Sequence, residues 1–265
     1  MKAGFIQMTP EFGQIERNLD IAGGLVRRHP ADLLVLPEFF NTGYLFVSHD
    51  EVRALAESIP GGPTTEYLRN LASETGSTLV AGLPERDGET LYNTAVLVSP
   101  DGTYRRYRKT HLFDREKLFF TPGDTGFQVV DTRTARIGLM ICFDWFFPES
   151  ARTLALGGAQ IIAHPANLVL PHCPQAMVTR CLENRVFAVT ANRAGTENRD
   201  GMQLTYIGNS RVIGPDGRVL AACGDESAAC RVVEIDPGRA DSKRLNDRND
   251  LFHDRRTAFY ELGTD

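Results

Sequence analysis

No apolar run in this chain approaches the roughly 18 residues that a membrane-spanning helix needs. The opening segment MKAGFIQMTPEFGQ has too short an apolar stretch for a secretory leader, so a cytoplasmic protein with no membrane partner is expected. Charge of one sign is not in excess: 29 Lys and Arg face 34 Asp and Glu, a net charge of −5. That balance gives nucleic acid no electrostatic footprint, and the basic run YRRYRK at 104–109 is too short to supply one. Cysteine is sparse and odd in number, with five residues at 142, 173, 181, 223 and 230. In a chain this long that argues against a disulfide framework. No CxxC pair occurs. His164, His172 and Cys173 lie close together but match no common zinc spacing, so they read as an ordinary loop and no metal is expected. GxGxxG and GxxxxGK[ST] are missing, which removes support for a nucleotide cofactor, and so is the GxSxG of serine hydrolases. No organic cofactor is expected.

What is present is an alternation of strand-like and helix-like segments over 265 residues. Strands are read at 3–8, 33–36, 77–82, 136–142, 160–164, 186–192 and 231–236. Helices are read at 15–29, 64–76, 148–159 and 175–185. Pro-Asp-Gly turns fold 93–109 and 210–223 into hairpins. Many strands are apolar on both faces, so both faces must be covered. The hairpins exclude a purely parallel barrel. A two-sheet sandwich with outer helices fits, an α/β architecture, with a doubly wound open sheet as the competing topology. No linker or composition break divides the chain, so 1–265 reads as one domain, with a polar tail from about 238 that could pack on a partner subunit.

Several strands end in a reactive or polar group: Glu38 after VLPE, Lys109 after YRK, Cys142 after GLMIC, and Asn167 after IIAHPAN. Ligand sites in layered α/β folds favour such carboxyl ends. Each residue alone has a plain reading, Glu38 and Lys109 as surface charges and Cys142 as core filler. Together they can do chemistry. A thiol of ordinary pKa is only slightly ionised at neutral pH and needs a base. Glu38 could take its proton and later pass it to a leaving nitrogen. Lys109 and the Phe143 backbone N–H could hold the charge on a tetrahedral adduct.

Four segments in order carry a family resemblance: LLVLPEFFNTGY (33–44), YRKTHLFDREKLFFTPGD (107–124), MICFDWFFPESARTLALGGAQIIAHPAN (140–167) and RCLENRVFAVTANRAG (180–195). The chain resembles the nitrilase superfamily of carbon–nitrogen hydrolases over nearly its whole length, in particular its short single-domain microbial nitrilases and amidases. The resemblance implies a four-layer α-β-β-α sandwich assembled as a homodimer or higher homo-oligomer. It implies Glu38 as general base, Lys109 as oxyanion stabiliser, Cys142 as nucleophile and Glu116 as a second glutamate orienting substrate and lysine. A loop charge paired with Arg115 or Lys117 is the plain reading of Glu116. Asp144 and Arg152 are read as an ion pair bracing the cysteine turn, and Arg180, Glu183 and Asn184 as bracing a helix near the site or an interface.

In this family the residues after the cysteine often line the pocket. Members that cut N-carbamoyl amino acids carry arginines where this chain has Trp145 and Phe146. The expected substrate is therefore a small, largely neutral aliphatic or arylalkyl amide or nitrile, with Phe40, Tyr44, Trp145, Phe146 and Asn167 as candidate substrate-binding residues. An ammonium held by cation–π attraction is the variant reading. Amidase activity is preferred. A nitrilase, an N-carbamoyl hydrolase and an inactive interaction protein on the same fold are the alternatives.

Overall fold

Side chains alternate across a strand, and here the alternation decides the layers. The computed structural model describes residues 1–260. One sheet has the order β14-β1-β2-β3-β4-β5, from β1 (Lys2–Gln7), β2 (Leu33–Val35), β3 (Thr78–Asp87), β4 (Thr90–Val98), β5 (Tyr104–Arg108) and β14 (Ala229–Glu234). Its β1, β2 and β3 are mutually parallel, and its other pairings are antiparallel. The second sheet has the order β13-β12-β9-β8-β7-β6, from β6 (Val129–Asp131), β7 (Arg136–Leu139), β8 (Ile161–Ala166), β9 (Phe187–Asn192), β12 (Arg211–Ile213) and β13 (Val219–Ala222). Its β7, β8 and β9 are parallel.

On the first sheet Ala3, Phe5, Leu33, Val35, Val80, Ala95 and Leu97 join the core shared with the second sheet. Their alternates Ile6, Leu34, Leu79, Ala81, Val96 and Val98 face the opposite way, onto α1 (Ile15–Arg28) and α3 (Pro63–Thr75). Leu19, Ala22, Val26, Leu68 and Leu71 of those helices complete that outer layer. α5 (Pro148–Leu156) and α6 (Cys173–Asn184) cover the second sheet through Ala151, Leu154, Met177 and Cys181. The result is the four-layer α-β-β-α sandwich, because every central strand is apolar on both faces and each face finds a different partner.

Two expectations change, and the start of the tail makes contacts within its own chain. α3 begins at Pro63, one residue before the expected threonine start, since proline suits a first turn whose N–H would be unpaired anyway. The strand read to residue 142 stops at Leu139. Beyond it Met140 still bonds the Ala163 carbonyl before the chain turns sharply. The tail from 238 packs on its own chain. Arg136 pairs with Asp241, and the Lys243 ammonium donates to the Asn184 and Arg185 carbonyls. A cation there satisfies the orphan carbonyls that end α6. The last residues of that tail, 261–265, lie outside the described ones.

All five cysteines are free and buried. Burial pushes the Cys223 thiol up to about 11 and Cys230 up to about 12, and it raises Cys142, Cys173 and Cys181 as well. Thiols of the unfolded chain ionise near pH 8.5. A pKa raised in the fold contributes stability that is complete below the unfolded value and lost as pH rises. Stability should therefore fall between about pH 8.5 and about pH 11, by roughly 1 kcal/mol per buried thiol per pH unit. Urea unfolding in reductant at about pH 7.5 and about pH 9.5 measures this; equal midpoints would refute it.

Candidate active site

β2, β5, β7 and β8 all end at the same edge of the sandwich, and the chain just beyond each end carries a polar or reactive side chain. After β2, Leu36 still bonds to Val80, and Gly82 bonds back to the Pro37 carbonyl. This brings the Glu38 backbone close against β3: a Cβ on Gly82 would sit 2.6 Å from the Glu38 Cα. Glycine is required there by the approach itself. Lys109 follows β5, and its N–H bonds to the Asn93 carbonyl of β4 at 2.7 Å, so register places the two residues side by side.

The Lys109 Nζ donates to Glu38 Oε1 at 2.8 Å and to Glu116 Oε1 at 2.7 Å, with all three side chains buried. Glu116 opens a one-turn helix, α4 (Glu116–Phe119), whose geometry brings it back over Lys109. The plain reading of Glu116 as a loop charge paired with Arg115 or Lys117 does not describe this position. Burial opposes the Lys109 charge, but the Glu116 and Glu38 carboxylates outweigh it and hold the ammonium protonated. Burial also raises the Glu116 carboxyl; Lys109 opposes that rise and Glu38 adds to it. Two carboxylates around one cation leave excess negative charge in a dry site.

Cys142 sits on a sharp elbow with φ of 40°, in the left-handed region that a non-glycine residue enters at about 1–3 kcal/mol. The strain is held by a dense set of bonds. The buried Asp144 carboxylate accepts from the Tyr107 hydroxyl at 2.8 Å and from the Ile141 N–H at 2.9 Å. It also accepts from the His111 N–H and is 2.8 Å from His111 Nδ1. His164 Nε2 lies 2.9 Å from the Cys142 carbonyl, and its Nδ1 lies 3.1 Å from the Thr190 hydroxyl. Burial lowers the His164 pKa to about 4. Its ring is neutral, so Nε2–H donates to the elbow and Nδ1 accepts from Thr190. His164 is thus a strand residue bracing the cysteine, not part of an ordinary loop. The expected Asp144–Arg152 ion pair does not form: Arg152 donates to the Glu183 carbonyl at 3.0 Å. Arg180 bonds the Trp145 carbonyl at 3.3 Å and so does brace the turn.

Burial raises the Cys142 thiol well above its ordinary value. The Glu38 charge adds to that, Lys109 opposes it, Glu116 adds again and the Asn167 N–H opposes. Those charges act on the sulfur because the three strand ends converge. The thiol is 5% exposed and lines a small recess with Phe143, Trp145 and Asn167. Phe143 stands at the start of a 3₁₀ turn, where no earlier carbonyl of the turn can take its N–H. Beside the recess, and sharing Phe113, Asn167 and Val169 with it, is a cavity of about 290 Å³ bounded by Tyr44, Phe46, Glu116 and Phe120. Among the described residues no cluster of three or more His, Cys, Asp or Glu is placed to hold a metal ion.

The structure brings Tyr44, Trp145 and Asn167 to these cavities. The Tyr44 hydroxyl does more than form a wall: it donates to Glu116 Oε1 at 2.7 Å. Asn167 Nδ2 donates to the Glu38 carbonyl at 2.9 Å, tying the two sheet edges together. Phe40 is not at the site. It is buried in the outer layer under α1 and α3, since the turn at Phe39 sends it through the sheet. Phe146 is 51% exposed and lines neither cavity, because the 3₁₀ turn points successive side chains outward. Sequence reasoning missed Asn93, whose Nδ2 donates to Glu38 Oε1 at 2.7 Å. A buried asparagine inside the apolar strand LYNTAVLV was its signal. It also missed Glu197, which accepts from the Tyr44 and Leu45 N–H groups and holds the loop carrying Tyr44.

Comparison with known proteins gives a consistent result. A family model described as carbon-nitrogen hydrolase matches residues 2–245. The chain is 48% identical to a nitrilase of Pyrococcus abyssi, covering 98% of this chain and 99% of that protein. It is 33% identical to an N-carbamoylputrescine amidase of Solanum lycopersicum, covering 94% and 90%. A solved glutamate-to-glutamine variant of the amidase from Nesterenkonia sp. AN1, with acrylamide added at its active-site cysteine, superimposes with a TM-score of 0.81. That structure has 29% identity and covers 97% of each chain. Sequence, family model and fold agree over almost all of the molecule, and the chain belongs to the carbon–nitrogen hydrolases of the nitrilase superfamily.

Proposed function

We propose that the enzyme hydrolyses a small primary amide to its carboxylic acid and ammonia. Glu38 acts as acid–base, Lys109 and the Phe143 N–H as oxyanion donors, and Cys142 as nucleophile. The observation that carries the amide reading is a set of unpaired acceptors. Glu38 Oε2 and Asn167 Oδ1 are buried with no hydrogen-bond partner among the described residues. A buried acceptor left unpaired costs roughly 1–3 kcal/mol. An amide NH₂ brings two donors to such a site, whereas a nitrile nitrogen brings none.

The steps follow from the placement. The thiol is protonated at rest, so its proton passes to the Glu38 carboxylate as sulfur bonds to the amide carbon. The carbonyl oxygen takes the displaced electron pair and is held by the Lys109 ammonium and the Phe143 N–H. Protonated Glu38 returns the proton to nitrogen, the C–N bond breaks and ammonia leaves a thioester. Glu38 then takes a proton from water, whose oxygen attacks the thioester. Collapse of this second adduct releases the acid, and the sulfur regains its proton. Glu116 and Tyr44 hold the lysine in place and do not exchange protons with substrate.

The 48% identical relative named a nitrilase favours a second reading, in which the same groups add the thiol to a nitrile carbon. An ammonia-release assay on amides, each paired with the nitrile of the same side chain, separates the two. The amide of each pair should have the higher kcat/KM. Faster release from the nitriles would replace the first reading with the second.

A further inference from the structure

The cavity beside the thiol recess is largely apolar and aromatic, yet it contains one guanidinium. Arg115 lines it together with Glu116, the carboxylate already bound to Lys109. Arg115 Nε is buried and has no hydrogen-bond partner, and the side chain makes no ion pair, among the described residues. Its Cζ lies 5.8 Å over the Phe119 ring, a weak contact at that distance. Two nearby arginines are committed: Arg106 and Arg108 are both paired with the buried Glu85. Asp114 also reaches the cavity but is exposed, so water screens its charge.

An arginine cannot shed its charge by losing a proton. Its charge therefore stays in place, and the buried Nε is a donor that an entering anion would satisfy. A planar carboxylate is its best-matched partner, through two parallel N–H···O bonds. At a water's share of roughly 30 Å³, about 290 Å³ holds roughly ten heavy atoms. That suits a short chain with a reacting group at one end and a carboxylate at the other.

We propose that Arg115 selects the far end of the substrate, and that the substrate class is a short-chain amide carrying a terminal carboxylate, the half-amide of a dicarboxylic acid. The selection rests on the site proposed above but not on which reacting group that site prefers. The earlier expectation of a largely neutral substrate came from the residues after Cys142. Those residues are not where the cavity places its cation.

The test crosses two heads with two tails. Glutaramate and 5-methylhexanamide share an amide head and differ in carboxylate against the isosteric isopropyl tail; 4-cyanobutanoate and 5-methylhexanenitrile repeat the comparison with a nitrile head. Ammonia release should favour the carboxylate tail by about 10- to 100-fold in kcat/KM. In Arg115→Gln that ratio should collapse to about one, and Arg115→Lys should recover part of it. Preference for the nitrile head with the tail ratio intact would sink the amide reading and leave the role of Arg115 standing. Equal rates for both tails, an unchanged ratio in Arg115→Gln, or no release from any of the four would overturn the proposal.

Discussion

Lys109→Met will lower kcat/KM about 10²–10³-fold, the scale seen when a preorganised oxyanion donor is removed. It will also destabilise the fold by about 3–5 kcal/mol, the cost of leaving buried charge unpaired. The second effect separates this site from an ordinary oxyanion hole. Lys109 is the hub between two buried carboxylates, at 2.8 Å from Glu38 and 2.7 Å from Glu116. Without the ammonium the carboxylates face each other in a site that already raises Glu116 through burial. One of them must then take a proton. A carboxyl whose folded pKa is raised contributes stability that is complete below its unfolded value and lost as pH rises through its folded value. The stability deficit of Lys109→Met should therefore be largest above neutral pH and shrink as pH falls toward the carboxylate range. Urea midpoints for both proteins across that interval give the comparison. A pH-independent deficit would mean that the lysine does not hold the two carboxylates together.

The sequence made the sandwich legible through its strands. Leu33, Leu34, Val35 and Leu36 are apolar without interruption, and the structure shows why: alternate members face different layers. Elements that own little core were illegible by the same logic. α2 (His49–Leu55) is seven residues with only Val52 buried, so periodicity had nothing to register. The hairpin of β10 (Ala194–Arg199) and β11 (Met202–Ile207) alternates weakly, and its signal was the turn instead. Asp200 and Gly201, with φ of 49° and 73°, form the two-residue connection that Asp-Gly favours. Missing that hairpin hid one wall of the large cavity, which Met202, Gln203 and Leu204 supply.

At the site, residues at strand ends could be found because topology brings such ends together. Residues that act through a partner could not. Asn93 and Glu197 reach Glu38 and the Tyr44 loop across strand pairings that a linear reading does not contain. Phe40 and Phe146 were expected at the pocket by adjacency to Glu38 and Cys142. A sharp turn intervenes in each case, at Phe39 with φ of 48° and at Cys142 with φ of 40°, and a sharp turn sends successive side chains in unrelated directions. Adjacency in sequence carries least where the backbone is most strained, and that is where this site is built.

Glu38→Gln should separate turnover from thiol acidity. The amide keeps the size of the side chain and can still accept from Lys109 and Asn93, so the fold should survive. It cannot take a proton from sulfur, and kcat should fall about 10²–10⁴-fold, the range for a positioned acid–base group. The Cys142 thiol should move the opposite way. Burial is the main reason its pKa is high, and the Glu38 charge is the next. Removing that charge leaves burial and Glu116 against Lys109 and the Asn167 N–H, so the thiol pKa must drop. The variant should therefore carry more thiolate at a given pH while turning over far less substrate. Ultraviolet thiolate absorbance across a pH titration, with Cys142→Ala as the blank, reports the first quantity, and ammonia release reports the second. If turnover fell while the thiol pKa stayed put or rose, Glu38 would not share a charge field with the sulfur. Its effect would then have to come from substrate binding instead. If turnover held, the proton from Cys142 would have to leave by another group, and of the two carboxylates whose charge acts on the thiol only Glu116, already bound by Lys109 and Tyr44, remains.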